Sequence, residues 1–206
     1  MNAQRLPDLD EHSLDSDPIV QFNTWYNQAR EAGVPQYDAM TLATATTNGI
    51  PSARMVLLKN SDQRGFVFFT NSQSRKGNEL AANPNAALVF FWAALNRSVR
   101  IEGRIESVSA GESDSYFASR NREAQLSSVT SSQSEVIRSR ELLDERYEEL
   151  KREFEGKNIP RPPHWGGYRL VPSRIEFWQA RFARLNDRVE YERQTGSVWV
   201  KRRLQP

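Results

Sequence analysis

The sequence predicts an α+β fold in which an antiparallel, barrel-like sheet dominates and helices flank it. Three observations point there. Short apolar or alternating segments recur from residue 40 onward with tight turns between them. Helical periodicity is confined to separate stretches near 17–33, 74–82, 109–120 and 135–154. At 206 residues the chain has room for one sizeable core, not two. Residues 1–16 lack periodicity and read as a mobile arm, leaving 17–206 as a single domain.

Each element has a local reason. Asp17-Pro18 is a helix start, and Ile19, Phe22, Trp25, Tyr26 and Ala29 recur at helical spacing before Gly33 stops the run. Strands are expected at 40–46 and 52–59, joined by the hairpin dipeptide Asn48-Gly49, and at 66–70 after the turn at 62–65. Segment 86–92 is almost wholly apolar, the pattern of a strand buried on both faces. Segment 98–106 alternates, with Val99, Ile101 and Ile105 on one side. Ser74 caps a short helix that ends before Pro84, and Ser109 with Glu112 forms a capping box. The serine-rich 127–134 reads as a linker, with a hydroxyl-lined anion loop as the alternative, and a charged helix follows over 135–154. Strands at 168–171, 175–179, 189–193 and 197–203 complete the chain.

Composition narrows the chemistry. There is no cysteine and there are only two histidines, His12 and His164, so thiolate chemistry is excluded and no metal site is expected. No apolar run approaches the roughly 20 residues of a membrane helix, and the N-terminus lacks a signal pattern, so a cytoplasmic protein is expected. Twenty-eight basic against 26 acidic side chains leave a net charge of only +2, too little for a nucleic-acid-coating surface. Anionic small molecules suit the placement of the arginines better.

Four groupings carry that expectation. Ser74-Arg75-Lys76 at a helix start combines free backbone N–H groups with two cations, suited to phosphate; a solvated basic turn is the plainer reading. Arg54 and Lys59 flank the apolar Met55-Val56-Leu57-Leu58, on opposite faces if the strand is regular. Tyr116 and Arg120 share one helix face and suit a phosphate or carboxylate, or form an ordinary surface pair. Arg184, Asn186, Asp187 and Arg188 follow the aromatic Phe177-Trp178 and suit a flat heteroaromatic ligand, or form a loop salt bridge. Several anion sites without an internal nucleophile imply that a bound cofactor does the hard chemistry.

In order along the chain, these pieces resemble the pyridoxamine/pyridoxine 5'-phosphate oxidase family of FMN-binding split β-barrels. The resemblance rests on Arg54-Met55-Val56-Leu57-Leu58-Lys59, Phe69-Thr70-Asn71, Ser74-Arg75-Lys76, Asn83-Pro84-Asn85-Ala86, Tyr116-Phe117, Ser119-Arg120, Gln133-Ser134, Trp165-Gly166-Gly167, Ile175-Glu176-Phe177-Trp178-Gln179, Arg184-Leu185 and Asp187-Arg188. It spans about 17–206.

The resemblance implies a homodimer with two FMN sites at the subunit interface. FMN is then held by Arg54, Met55, Val56, Leu57, Leu58, Lys59, Phe69, Thr70, Ser74, Arg75, Lys76, Gln133, Ser134, Trp178 and Arg188. The substrate phosphate falls to Lys59, Tyr116 and Arg120, while Arg184 and Asn186 lie against the pyridine ring as the catalytic candidates. The implied reaction is hydride transfer from substrate C4' to flavin N5, reoxidation by oxygen to hydrogen peroxide, and release of pyridoxal 5'-phosphate. Three positions depart from the family's pattern: Asn186 stands where His is usual, Ser98 where Gln is, and Ala124 where Ser often is. Two alternatives stay open on those departures: an oxidase of the phenazine-biosynthesis type, and a flavin or pyridoxal-phosphate carrier with weak activity.

Overall fold

The structure, a computed structural model, describes residues 9–206. Helix α1 (Pro18–Glu31) begins where Asp17 accepts the Ile19 N–H at 2.8 Å, and Pro18 lacks an N–H at a position where none is needed. Its Ile19, Phe22, Trp25 and Ala29 are buried against the sheet. Phe22 meets Phe66 edge-on at 4.8 Å between centroids, and Trp25 meets Phe177 at 5.2 Å. Burying each such side chain contributes about 1.5–3 kcal/mol, so α1 is a wall of the core.

The sheet consists of β1 (Ala39–Ala45), β2 (Pro51–Leu57), β3 (Asn60–Asp62), β4 (Gly65–Asn71), β5 (Asn85–Trp92), β6 (Arg97–Ser107), β7 (Trp165–Gln179), β8 (Asp187–Arg193) and β9 (Trp199–Arg203). All pairings among the described residues are antiparallel, in the order β2-β1-β5-β6-β7-β4-β3, with β8 between β7 and β9. Strand β7 is the branch point. One edge pairs with β6, while the other pairs with β4 through 165–170 and with β8 through 174–179. The split-barrel expectation is met by this curled, branched sheet with α2 (Arg75–Ala82), α3 (Ala110–Ser119), α4 (Arg122–Thr130) and α5 (Arg140–Glu153) around it.

Several expectations need correcting. The arm was expected to run to residue 16, but Leu9 and Leu14 are buried in the main core, because Lys201 and Arg203 of β9 hold the carbonyls of Leu14 and Leu9. Residues 1–8 lie outside the described residues. The two strands expected at 168–171 and 175–179 are one: opposite Gly103 the register shifts, and the bulge accommodates Pro172 and Ser173 without breaking β7. Much of the serine-rich stretch belongs to α4, capped by Asn121, whose side chain accepts the Ala124 N–H. Helix α5 begins at Arg140, not 135, because Ser139 supplies its N-cap. Strand β5 is not covered on both faces within the protomer: Leu88, Phe90 and Trp92 are buried, but Phe91 is 64% exposed.

Helix α2 sits tightly on the loop that follows β4. A Cβ at Gly77 would lie 2.1 Å from the Ser72 carbonyl oxygen. Glycine-to-alanine in a helix ordinarily stabilises by about 1 kcal/mol, but here the clash reverses the sign. Gly77→Ala should destabilise the fold by about 1–3 kcal/mol, measured as a lower urea midpoint; an unchanged or raised midpoint would refute the close approach.

Candidate active site

A cleft of about 570 Å³ opens between β2, the end of β4, α2, α3 and α4, in the size range of small-ligand sites. Its floor is aromatic. Phe69 stacks on Tyr116 at 4.1 Å between centroids and on Trp165 at 5.4 Å. Trp165 belongs to a second core with Phe117, Leu126 and Ile159, which anchors α3 and α4 over the cleft.

Two cationic centres face this space. The first is Lys76, in the first turn of α2 and buried at 8% exposure. Its ammonium donates to Gln133 Oε1 at 2.8 Å and to Thr70 Oγ1 and Ser74 Oγ, each at 3.2 Å. All three acceptors are neutral. Burial, reinforced by the nearby Arg54 charge, pushes the Lys76 pKa below its ordinary value. A buried ammonium without a carboxylate in hydrogen-bond contact beside a helix N-terminus is a half-made phosphate site.

The second centre is Arg120, the C-cap residue of α3. Its guanidinium lies 4.8 Å from the Trp165 ring centroid and donates to Ser128 Oγ at 2.6 Å. Burial lowers its pKa, and no carboxylate pairs with it among the described residues. Tyr116 stands beside it, and Lys59 reaches the same cleft while pairing with Asp38 at 3.1 Å.

Behind Lys76 stands a buried carboxylate. Glu79 accepts from Arg54 at 2.9 Å, Arg75 at 2.8 Å, Thr44 at 2.5 Å and Ser52 at 3.0 Å. Burial alone would raise its pKa, but the hydrogen bonds from Thr44, Arg75, Ser52 and Arg54 outweigh that and hold it at about 2.

The cleft therefore gathers Met55, Val56, Leu57, Lys59, Phe69, Thr70, Lys76, Tyr116, Arg120 and Gln133 of the expected site. It does not gather the rest. Arg54 and Arg75 are turned onto Glu79, Leu58 is buried in the main core, and Ser74 is spent capping α2. Ser134 is exposed with φ +76° and does not line the cleft. Trp178 lies on another surface, in a recess with Phe91, Ser98, Arg100 and Glu176. Arg188 is clamped on Glu176 at 2.7 Å, and Arg184 sits exposed in the turn before β8. Asn186 accepts the Arg181 N–H at 3.0 Å. Asn121 also lines the cleft and was not expected there, while Ser127, Ser128 and Ser131 line it from the stretch for which a linker was the preferred expectation. The serines bring hydroxyls to the cleft from helix α4 and its C-cap rather than from a linker or a loop.

The fold defines the class first: a split barrel, shared at a TM-score of 0.75 and 16% identity with a pyridoxamine 5'-phosphate oxidase-related FMN-binding protein from Nostoc punctiforme. Residues 27–152 match the family described as pyridoxamine 5'-phosphate oxidase, and 165–206 match the pyridoxine 5'-phosphate oxidase C-terminal dimerisation region. The chain belongs to the pyridoxamine 5'-phosphate oxidase family. It is 54% identical over 198 residues to a pyridoxine/pyridoxamine 5'-phosphate oxidase of Trichormus variabilis, covering 96% of this chain and 92% of that one. A relative of the same name from Burkholderia mallei is 55% identical over 200 residues, covering 96% and 93%. PhzG from Burkholderia lata, solved with tetrahydrophenazine-1-carboxylic acid, is 34% identical with a TM-score of 0.92 and 98% coverage of both chains. Membership makes this protein an FMN-dependent oxidoreductase, and the donors around Lys76 fit a phosphate monoester such as FMN carries.

Because the folded Glu79 carboxyl titrates near 2 and its ordinary value is 4.5, its ionised form stabilises the fold fully above about pH 4.5. That contribution is lost as pH falls through about 2. Glu79→Gln lacks it, so the gap in urea midpoint between wild type and variant should narrow from about pH 6 to about pH 2.5. A gap that stays constant over that range would show that Glu79 is not held ionised by these partners.

Proposed function

We propose that the protein oxidises pyridoxamine 5'-phosphate and pyridoxine 5'-phosphate to pyridoxal 5'-phosphate, with dioxygen as acceptor and hydrogen peroxide formed from it; with the amine, one water is also consumed and ammonia released as the imine hydrolyses. The observation that carries this reading is the pairing of two cationic centres, neither of them touching a carboxylate, in one aromatic-floored cleft. A phosphorylated cofactor and a phosphorylated substrate require that arrangement.

Lys76, Thr70 and Gln133 take the FMN phosphate in this assignment, with Arg75 and Arg54 freed from Glu79 or acting through it. Bound FMN supplies the hydride acceptor and the path of electrons to dioxygen. Arg120, Tyr116 and Lys59 hold the substrate phosphate, and the Trp165 ring beside Arg120 keeps the guanidinium partly dehydrated, which strengthens its bond to an anion. Ser128 supplies a hydroxyl one turn along α4 from Ala124, where relatives in the resemblance often carry Ser. Trp178, Arg184, Asn186 and Arg188 lie outside this cleft, so a homodimer through the C-terminal region supplies them from the partner subunit. The exposed Phe91 beside Trp178 supports that surface as the contact. Asn186 has no titrating group, so no proton is carried there.

The likeness to PhzG, together with Asn186 and Ser98, favours a second reading with a tricyclic carboxylate as substrate. The phosphate-suited trio of Lys59, Tyr116 and Arg120 weighs against it.

FMN-loaded protein given pyridoxamine 5'-phosphate should release pyridoxal 5'-phosphate and peroxide; turnover of tetrahydrophenazine-1-carboxylic acid with none of the phosphate esters would overturn the assignment. Arg120→Ala should raise KM for pyridoxamine 5'-phosphate about 10- to 100-fold, the loss of one charge-assisted bond to phosphate. Lys76→Met should weaken FMN binding, followed by flavin fluorescence quenching, by a factor of about 100, leaving KM of the fully loaded enzyme little changed.

A further inference from the structure

The turn between β7 and β8 holds two consecutive non-glycine residues in the left-handed region, Ala183 at φ +55° and Arg184 at φ +64°. Such a pair persists only where its surroundings over-determine it. Packing within the protomer does not do so: Phe182 is 95% exposed and Leu185 is 69% exposed there. Polar ties do. Asn186 Oδ1 accepts the Arg181 N–H at 3.0 Å, Leu185 N–H reaches the Phe182 carbonyl at 3.2 Å, and Asp187 Oδ2 accepts from Arg181 Nε.

Asp187 is also the point where the N-terminal segment is fastened. Its Oδ2 accepts the Leu9 N–H at 3.2 Å, and its Oδ1 accepts from Arg203 Nη1 at 2.8 Å. Arg203 in turn donates to the Leu9 carbonyl at 2.7 Å and to Glu11 at 2.8 Å. Further along, Lys201 donates to the Leu14 carbonyl and Tyr191 to the Asp15 carbonyl. One carboxylate thus joins the turn, the last strand and the segment at residues 9–15.

We propose that this segment, clamped on Asp187 and Arg203, is a latch that keeps the Arg184 turn in its left-handed form, and that Asp187 is a positioning residue for the substrate side chains on that turn. The proposal rests on the reading of Arg184 as a substrate contact. It also gives Asn186 a task that needs no proton: its amide oxygen closes the turn.

The test uses the full-length, FMN-loaded protein carrying Asp187→Asn or Arg203→Gln. In Asp187→Asn, amide exchange in the 181–187 peptide should accelerate about tenfold, and KM for pyridoxamine 5'-phosphate should rise by a similar factor with kcat within about twofold. Arg203→Gln should move both in the same direction by less. Unchanged exchange at 181–187 in both variants overturns the latch. Faster exchange with unchanged KM overturns the positioning role, since Asp187 would then serve stability alone. The exchange measurement needs no substrate, so a wild type without oxidase activity would remove the functional reading while the latch is still tested. If Asp187→Asn does not fold, Arg203→Gln and Glu11→Gln decide by the same two readouts.

Discussion

The site depends on charges that the fold leaves uncompensated. Many arginines among the described residues are ion-paired: Arg54 with Glu79, Arg188 and Arg100 with Glu176, Arg203 with Glu11 and Asp187. Lys76 and Arg120 touch only neutral partners, inside one cleft. A dehydrated cation without a counter-ion costs several kcal/mol, so each must be held in place by something stronger. For Lys76 that is α2, pinned by the Ser74 cap and by the ring of donors on Glu79 behind it. For Arg120 it is the aromatic cluster of Trp165, Phe69 and Tyr116. An incoming phosphate supplies the missing charge, and the cost borne in folding becomes affinity.

Much of this was legible in the sequence. The Asp17-Pro18 start, the Ser109–Glu112 capping box and the Asn48-Gly49 turn are local signals with local causes, and they appear where expected. What escaped was decided at a distance. Pro172 and Ser173 look like a strand break, but a bulge opposite Gly103 carries β7 through them. The serines of 127–131 look like a linker, but Asn121 caps a helix there and Leu126 anchors it in the second core. Leu9 and Leu14 look like isolated apolar residues in a polar arm until Lys201 and Arg203, nearly the whole chain away, hold their carbonyls.

The site divides the same way. Lys59, Tyr116 and Arg120 could be singled out as residue types suited to phosphate, and the structure gathers them. Trp178, Arg184, Asn186 and Arg188 could be singled out too, yet they occupy other surfaces of the protomer. Sequence order carries no information on which face of a branched sheet a residue reaches; that is set by the bulge in β7 and the turn at Arg184. The match to a C-terminal dimerisation region fits the proposed assignment, in which a partner subunit brings the second set to the cleft.

Burial separates the two cationic centres by the kind of ligand each suits. Lys76 is 8% exposed and ringed by three oxygens, so an anion bound there exchanges only when that ring opens. Lys59 and Arg120 are more open to solvent, and Lys59 is already shared with Asp38, which takes the ammonium back when an anion departs. Tight, slow holding suits a resident cofactor, and shared, reversible holding suits a substrate that must leave as product on every turnover. The proposed assignment of FMN phosphate to Lys76 and substrate phosphate to Arg120 follows from that difference in burial and in neighbours.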